Sequence, residues 1–144
     1  MKQPPKISID IAPGELIDKI TILEIKSARI DNTAKKQNVL HELRLLEGTR
    51  ATLDRETPEL EGLAEELKRI NQAIWDIEDE IRRCEAAQEF GERFIDLARS
   101  VYMKNDERSR VKRSINQLLG SEIVEEKQYV DYRNPSATFR KYSP

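Results

Sequence analysis

The chain has 144 residues, of which 36% are charged, and this length gives one ordinary domain able to bury a core of its own. Its 25 basic and 27 acidic residues leave a net charge of −2, so no overall field attracts the chain to nucleic acid or to anionic lipid, and neither is an expected partner. One cysteine excludes an intrachain disulfide, and no apolar run approaches the roughly 20 residues that cross a bilayer.

The first residues are polar and unlike a signal peptide, so we expect a cytoplasmic protein with no membrane span. Within this N-terminal arm, residues 1–12, the side chains Ile7, Ile9 and Ile11 alternate with polar ones. That alternation predicts a short strand. Its one candidate partner lies at residues 129–132, where a two-stranded ribbon would join the two ends of the domain.

The first helix is predicted to begin at Pro13, which suits the first helical position, and to end near residues 31–33. Asp18 lies opposite its apolar face and is expected to be solvated. A second helix then runs to about Glu56. Thr57 and Pro58 form a restart signal, in which Thr57 caps the third helix and Pro58 occupies its first turn.

The third helix carries an uninterrupted apolar stripe with a 3.5-residue repeat, which predicts a partner helix lying nearly alongside. Gly91 marks the bend that follows. In the fourth helix the apolar register continues through Asn105 and Asp106, which predicts one continuous helix ended by Gly120. The stripe of the third helix consists of Leu60, Leu63, Leu67, Ile70, Ile74, Ile77, Ile81 and Cys84.

These elements predict an all-α fold: an antiparallel helical bundle of about four long helices with heptad-like, coiled-coil packing. A single helical domain is expected over residues 1–130. An irregular C-terminal tail follows at residues 131–144, in which basic residues alternate with aromatic ones.

Charged residues interrupt the apolar faces at Glu24, Arg50, Lys104 and Arg108. Because buried charges are stable only when paired, these residues are expected to share one polar layer between the helices. One interpretation is that the layer only fixes helix register. The other is an anion site, since three cations and one carboxylate leave spare donors. The predicted ligand-binding set is Glu24, Arg50, Lys104, Asn105, Arg108 and Lys112.

No familiar catalytic or metal-binding pattern accompanies this layer, so no cofactor, metal or catalytic residue is predicted and enzymatic activity stays open. The one histidine, His41, is expected at the surface, and Cys84 is expected in the core. Trp75 is either a packing residue or an anchor for a second subunit. The basic segment 104–113 is interrupted by acids and has no aromatic platform, so we interpret it as a solvated helix face.

Four segments resemble an uncharacterised family of small bacterial helical proteins. The first spans residues 13–26, from Pro13-Gly14-Glu15 to Glu24-Ile25-Lys26. The others are Asn105-Asp106-Glu107-Arg108, Ile115-Asn116 and residues 120–129. Some relatives are associated with predicted glycosyltransferases or surface-polysaccharide genes. The resemblance therefore implies an accessory or binding role, and it carries no site residues.

The expected function is that of a helical interaction or oligomerisation module. The third helix is longer than the first two, and its excess length needs another helix to cover it. The expected partner is a second copy, forming a dimer, or another helical protein. The alternative is a small-molecule-binding or enzymatic domain built on the polar layer, whose ligand would be an anionic metabolite such as a sugar phosphate, a nucleotide sugar or a dicarboxylate.

Overall fold

The structure is a computed structural model that describes residues 1–134. It contains four α-helices: α1 (Pro13–Arg29), α2 (Thr33–Ala51), α3 (Pro58–Ala87) and α4 (Glu92–Leu118). The all-α fold and the four long helices are therefore confirmed. Most of the predicted tail, including Phe139, Arg140, Lys141 and Tyr142, lies outside the described residues.

The predicted N-terminal strand is wrong, since residues 1–134 contain no strand. Ile7 and Ile9 are exposed by 89% and 75%. Their proposed partner segment lies elsewhere: Tyr132 stacks edge-to-face with Tyr102 and donates a hydrogen bond to Asp106 Oδ2 at 2.8 Å, both on α4. A strand needs a partner for its backbone groups, and in the one candidate segment the Tyr132 side chain contacts α4 instead.

Helix α1 lies at the centre of the fold. It packs against each of the other three helices, α3 also packs against α4, and α2 packs against α1 alone among the described helices. Two apolar clusters include adjoining faces of α1, and their burial is the main stabilising term. One holds Ile17, Leu60, Ala64, Leu67, Ile70, Val111 and Ile115. The other holds Leu16, Ile20, Leu23, Val39 and Leu43.

The boundaries between helices follow local chemistry. Thr57 Oγ1 accepts a hydrogen bond from the Leu60 amide at 3.2 Å, and Pro58 begins α3, as predicted. Helix α2, however, ends at Ala51 and not near residue 56. Thr52 closes the last turn of α2. Asp54, in the following link, takes a left-handed conformation with φ of 46°, so the helical conformation does not continue to the Thr57 cap of α3.

Helix α3 buries both ends of its stripe, whereas Ile74, Ile77 and Ile81 stay half-buried. Helix α4 is continuous through Asn105 and Asp106, which confirms that prediction. None of the four described helices has the length and apolar character needed to cross a membrane.

The start of α1 touches the end of α4 at Gly14. Its amide donates to Asn116 Oδ1 at 2.7 Å. A Cβ at Gly14 would lie 2.5 Å from the backbone carbonyl oxygen of Lys112, so the close approach of the two helices requires glycine. This contact fixes the axial position of α1 along α4 and thereby decides which side chains face each other further along.

Candidate ligand-binding site

Three of the four charged residues predicted to share one layer pair separately with residues of opposite charge. Glu24 forms an ion pair with Lys68 of α3, with 2.9 Å between its carboxylate and the ammonium group. Lys104 contacts Glu107 on its own helix at 3.0 Å. These pairs lie near the surface and contribute little net stability. They also leave neither group free to hold a ligand.

Arg50 is the third neutralised residue. Its guanidinium contacts Glu56 at 2.7 Å and Glu61 at 3.3 Å. The hydrogen bond to Glu56 raises the pKa of Arg50 and lowers the pKa of Glu56, because it favours the charged form of both. Glu61 lies in the first turns of α3, so its contact with Arg50 links the end of α2 to the beginning of α3. The single layer of four charges is therefore not what the structure contains.

Arg108 differs from these residues. Its Nη2 donates to Asn105 Oδ1 at 2.6 Å, and its Nη1 makes a longer contact of 3.4 Å with Asn71 Oδ1 on α3. Within residues 1–134 no carboxylate lies within ion-pair distance of it. A guanidinium has five N–H donors, so three of them have no acceptor among the described side chains. The half-buried Arg108 thus keeps its charge and most of its donors.

A buried polar network holds Asn71 in place. Its Nδ2 donates to Asp18 Oδ1 at 2.8 Å and to Thr21 Oγ1 at 3.0 Å, both on α1. Asp18 is 6% exposed and Asn71 5%. The carboxylate takes the amide nitrogen, so the amide oxygen turns toward Arg108. A neutral amide therefore separates the anion from the cation, and Asp18 orients Arg108 indirectly without pairing with it.

Sequence reasoning missed this network. Asp18 was expected in solvent, and the structure corrects this because α1 has a second inward face, formed by Asp18, Thr21 and Ile25 at spacings of 3 and 4. Asn71 lies four residues after Leu67 and three before Ile74. A polar residue at such inward spacing was the available signal.

Arg108 and Asn71 lie at one end of a cleft of about 310 Å³ between α1 and α3. That volume is at the lower limit for small-molecule sites. The walls are apolar, and the far end is charged. The cleft is lined by Ile22, Ile25, Asn71, Ile74, Trp75, Glu78, Asp79, Arg82 and Arg108.

Lys112, also in the predicted set, lies apart from this cleft. Its ammonium group contacts Glu15 at 2.7 Å and Glu125 at 3.1 Å. Burial acts to lower the pKa of Lys112, but the hydrogen bonds to the two carboxylates outweigh it and the pKa is raised. The same contacts lower the pKa of Glu15 and Glu125. Lys112 therefore fastens the chain after α4 to the start of α1. Of the predicted set only Arg108 lines the cleft, and Asn105 accepts a hydrogen bond from it.

Fold and site together define a class: an all-α protein of four helices, with an arginine held by neutral partners beside an apolar cleft. The chain belongs to the family described as "Family of unknown function (DUF6165)", which matches residues 7–143. The resemblance to an uncharacterised family is confirmed to that extent. Neither the search of curated proteins nor the search of solved structures found a match.

Proposed function

We propose that this chain is a binding protein whose cleft between α1 and α3 holds the anionic group of a small molecule against Arg108. The observation that carries the proposal is the surroundings of this arginine. Its acceptors are the two amide oxygens of Asn71 and Asn105, and among residues 1–134 no carboxylate lies within ion-pair distance of it. A guanidinium with free donors is suited to bind a carboxylate or a phosphate through paired hydrogen bonds.

The remaining charges support this choice. By contrast, half-buried Arg50 and buried Lys112 each contact two carboxylates. Arg108 is also the cation whose neighbours are fixed by a buried network, and fixed donors lower the entropy cost of binding.

Calorimetric titration of the full chain with octanoate tests the proposal, since this monocarboxylate pairs one anionic group with an apolar tail. Binding to the unchanged protein is expected, together with a rise in melting temperature by linkage. Arg108→Met removes the charge and keeps an apolar stem, so binding should be lost. The matched control is Arg99→Met, which removes an exposed charge from the same helix outside the cleft.

Octanol, which has the same chain without the charge, separates anion recognition from simple apolar uptake. If octanol binds as well as octanoate, or if Arg108→Met binds octanoate unchanged, the proposal is refuted.

A second candidate function, self-association, is favoured by a separate observation. The C-terminal end of α3 and the N-terminal end of α4 form a hairpin whose apolar residues are incompletely covered. Ile77 and Ile81 are half-buried, while Phe90 and Ile95 are 49% and 53% exposed. Several partly exposed apolar residues on one hairpin are typical of a surface that another helix covers.

Sedimentation velocity over a range of concentrations tests self-association. The expected result is a dimer that Ile95→Lys converts to a monomer. Ile123→Lys, at an exposed position outside the hairpin, should leave the dimer intact. A monomer at the highest concentration, with no change in either variant, would exclude this candidate.

Finer expectations on architecture and setting belong with these proposals. Antiparallel packing of α3 and α4 is supported by two contacts, Glu80 with Arg93 and Asn71 with Arg108. Between the first contact and the second, the residue number falls along α3 while it rises along α4. Coiled-coil character, a cytoplasmic location and a bacterial origin with an accessory role beside glycosyltransferases rest on sequence patterns and resemblance alone.

A further inference from the structure

The two ends of the cleft carry opposite charge. Arg108 lies at one end. At the other, Glu78 and Arg82 pair with each other at 2.7 Å, and the pair carries no net charge. The neighbouring Asp79 is half-buried, and among residues 1–134 no cation lies within 4.0 Å of it. A free cation and a free anion therefore line one cleft without contacting each other.

The distance between these ends follows from helix geometry. Arg108 reaches Asn71, and Asp79 lies eight residues further along α3. Eight residues at a rise of 1.5 Å give about 12 Å along the helix axis. Ile74 and Trp75 lie on α3 between them, and Ile22 and Ile25 of α1 form the facing wall. A ligand that spans the cleft thus crosses an apolar surface between two opposite charges.

We propose that the natural ligand is an elongated zwitterion, with a carboxylate at Arg108 and an ammonium group at Asp79, separated by an apolar chain along Ile74 and Trp75. This inference rests on the proposed function, since it takes the anionic group at Arg108 as given. It adds the second charge, the length and the apolar middle of the ligand.

Charge repulsion and desolvation distinguish this ligand from its alternatives. A molecule with anions at both ends would place its second anion beside Asp79, which no cation among residues 1–134 neutralises, and like charges repel. A monoanion with an apolar tail would cover the Asp79 carboxylate without pairing it, which costs desolvation. The zwitterion alone satisfies both ends.

Three probes of one chain length test the inference: octanoate, octanedioate and ω-aminooctanoate, each titrated calorimetrically into the full chain. An added ion pair at a partly exposed site is worth up to about fivefold in affinity. The expected order is therefore ω-aminooctanoate tighter than octanoate by about that factor, with octanedioate the weakest. The order is informative because an ammonium group makes the tail less apolar and would otherwise weaken binding.

Asp79→Asn supplies the decisive comparison. It should erase the preference for ω-aminooctanoate and leave octanoate bound as well or better. Asp96→Asn, at an exposed acid outside the cleft, should keep the original order. Asp79 makes no hydrogen bond or ion pair with the described residues, so the substitution is expected to leave the fold unchanged; far-UV circular dichroism checks this.

The outcomes separate the two proposals. If octanoate binds through Arg108 but all three probes bind equally, the zwitterion inference is overturned and the anion site stands. The inference is equally overturned if the preference survives in Asp79→Asn. If no probe binds, or if Arg108→Met does not affect binding, the proposed function fails and the inference fails with it.

Discussion

Replacing Asn71 by leucine isolates the network that holds Arg108. Leucine has the same number of side-chain heavy atoms as asparagine and the same branching at Cγ, so the change removes polar atoms without leaving a cavity. It deletes the hydrogen bonds from Nδ2 to Asp18 Oδ1 at 2.8 Å and to Thr21 Oγ1 at 3.0 Å. Thr21 keeps a partner, because its hydroxyl donates to the Asp18 backbone carbonyl at 2.8 Å. Asp18, at 6% exposure, loses the one side-chain donor described for it.

The magnitude follows from these bonds. A hydrogen bond to a buried charged group contributes about 1.5–3 kcal/mol and a neutral one about 1 kcal/mol, so the loss is about 2.5–4 kcal/mol. Burial of the leucine methyl groups offsets roughly 1 kcal/mol of it. We therefore expect Asn71→Leu to lower the free energy of unfolding by about 1.5–3 kcal/mol.

Urea unfolding followed by far-UV circular dichroism measures this change, with an unchanged m-value as the sign that the transition stays cooperative. The double variant Asp18→Leu with Asn71→Leu tests the cause. Once the carboxylate is gone, nothing is left unsatisfied, so the pair of changes should destabilise less than Asn71→Leu alone. A stable Asn71→Leu variant, or a double variant whose loss is the sum of the single losses, would refute the reasoning.

Two further predictions concern the junction of α1 with α4. Gly14→Ala should destabilise by about 1–3 kcal/mol in urea unfolding, because the new Cβ would meet the carbonyl oxygen of Lys112. Gly62→Ala on α3, where no atom lies within 4 Å, should instead stabilise by roughly 0.5–1 kcal/mol; destabilisation by both would contradict the steric argument. Lys112→Met should change the pH dependence of stability. The pKa values of Glu15 and Glu125 are lowered from the ordinary 4.5, so on acidification the unfolded chain takes up protons first. The stabilisation is fully present above the ordinary pKa and is lost as pH falls through the lower folded-state pKa values. Melting temperature against pH should therefore fall less steeply in Lys112→Met, and an identical acid slope would argue against these ion pairs.

The elements of the fold could be predicted because their causes are local. The start of α3 was predictable from Thr57 and Pro58, since a cap and a proline act on the adjacent turn. The continuity of α4 was predictable from an unbroken apolar register. The N-terminal strand was wrong for the opposite reason: its backbone partner would have to come from a distant segment, and Tyr132 packs on α4 instead.

The candidate site was only partly predictable. Charges on an apolar face indicated Arg108, and helical spacing indicated Asn105 beside it. The same reasoning also named Glu24, Arg50 and Lys104, which pair with other residues of opposite charge. All four seam charges look alike in sequence. Lys104 pairs within its own helix, whereas Lys68, the partner of Glu24, and Glu61, a partner of Arg50, lie on α3.

By itself the sequence determined the four helices, their caps and their apolar stripes, because hydrogen bonding and side-chain periodicity within a helix involve residues a few positions apart. Only the tertiary structure decided that Asp18 is buried, that Asn71 lies between it and Arg108, and that the cleft joins this cation to Asp79. Those relations depend on the rotation and axial shift of α1, α3 and α4 against one another. The packing of the whole core and the close contact at Gly14 set both quantities.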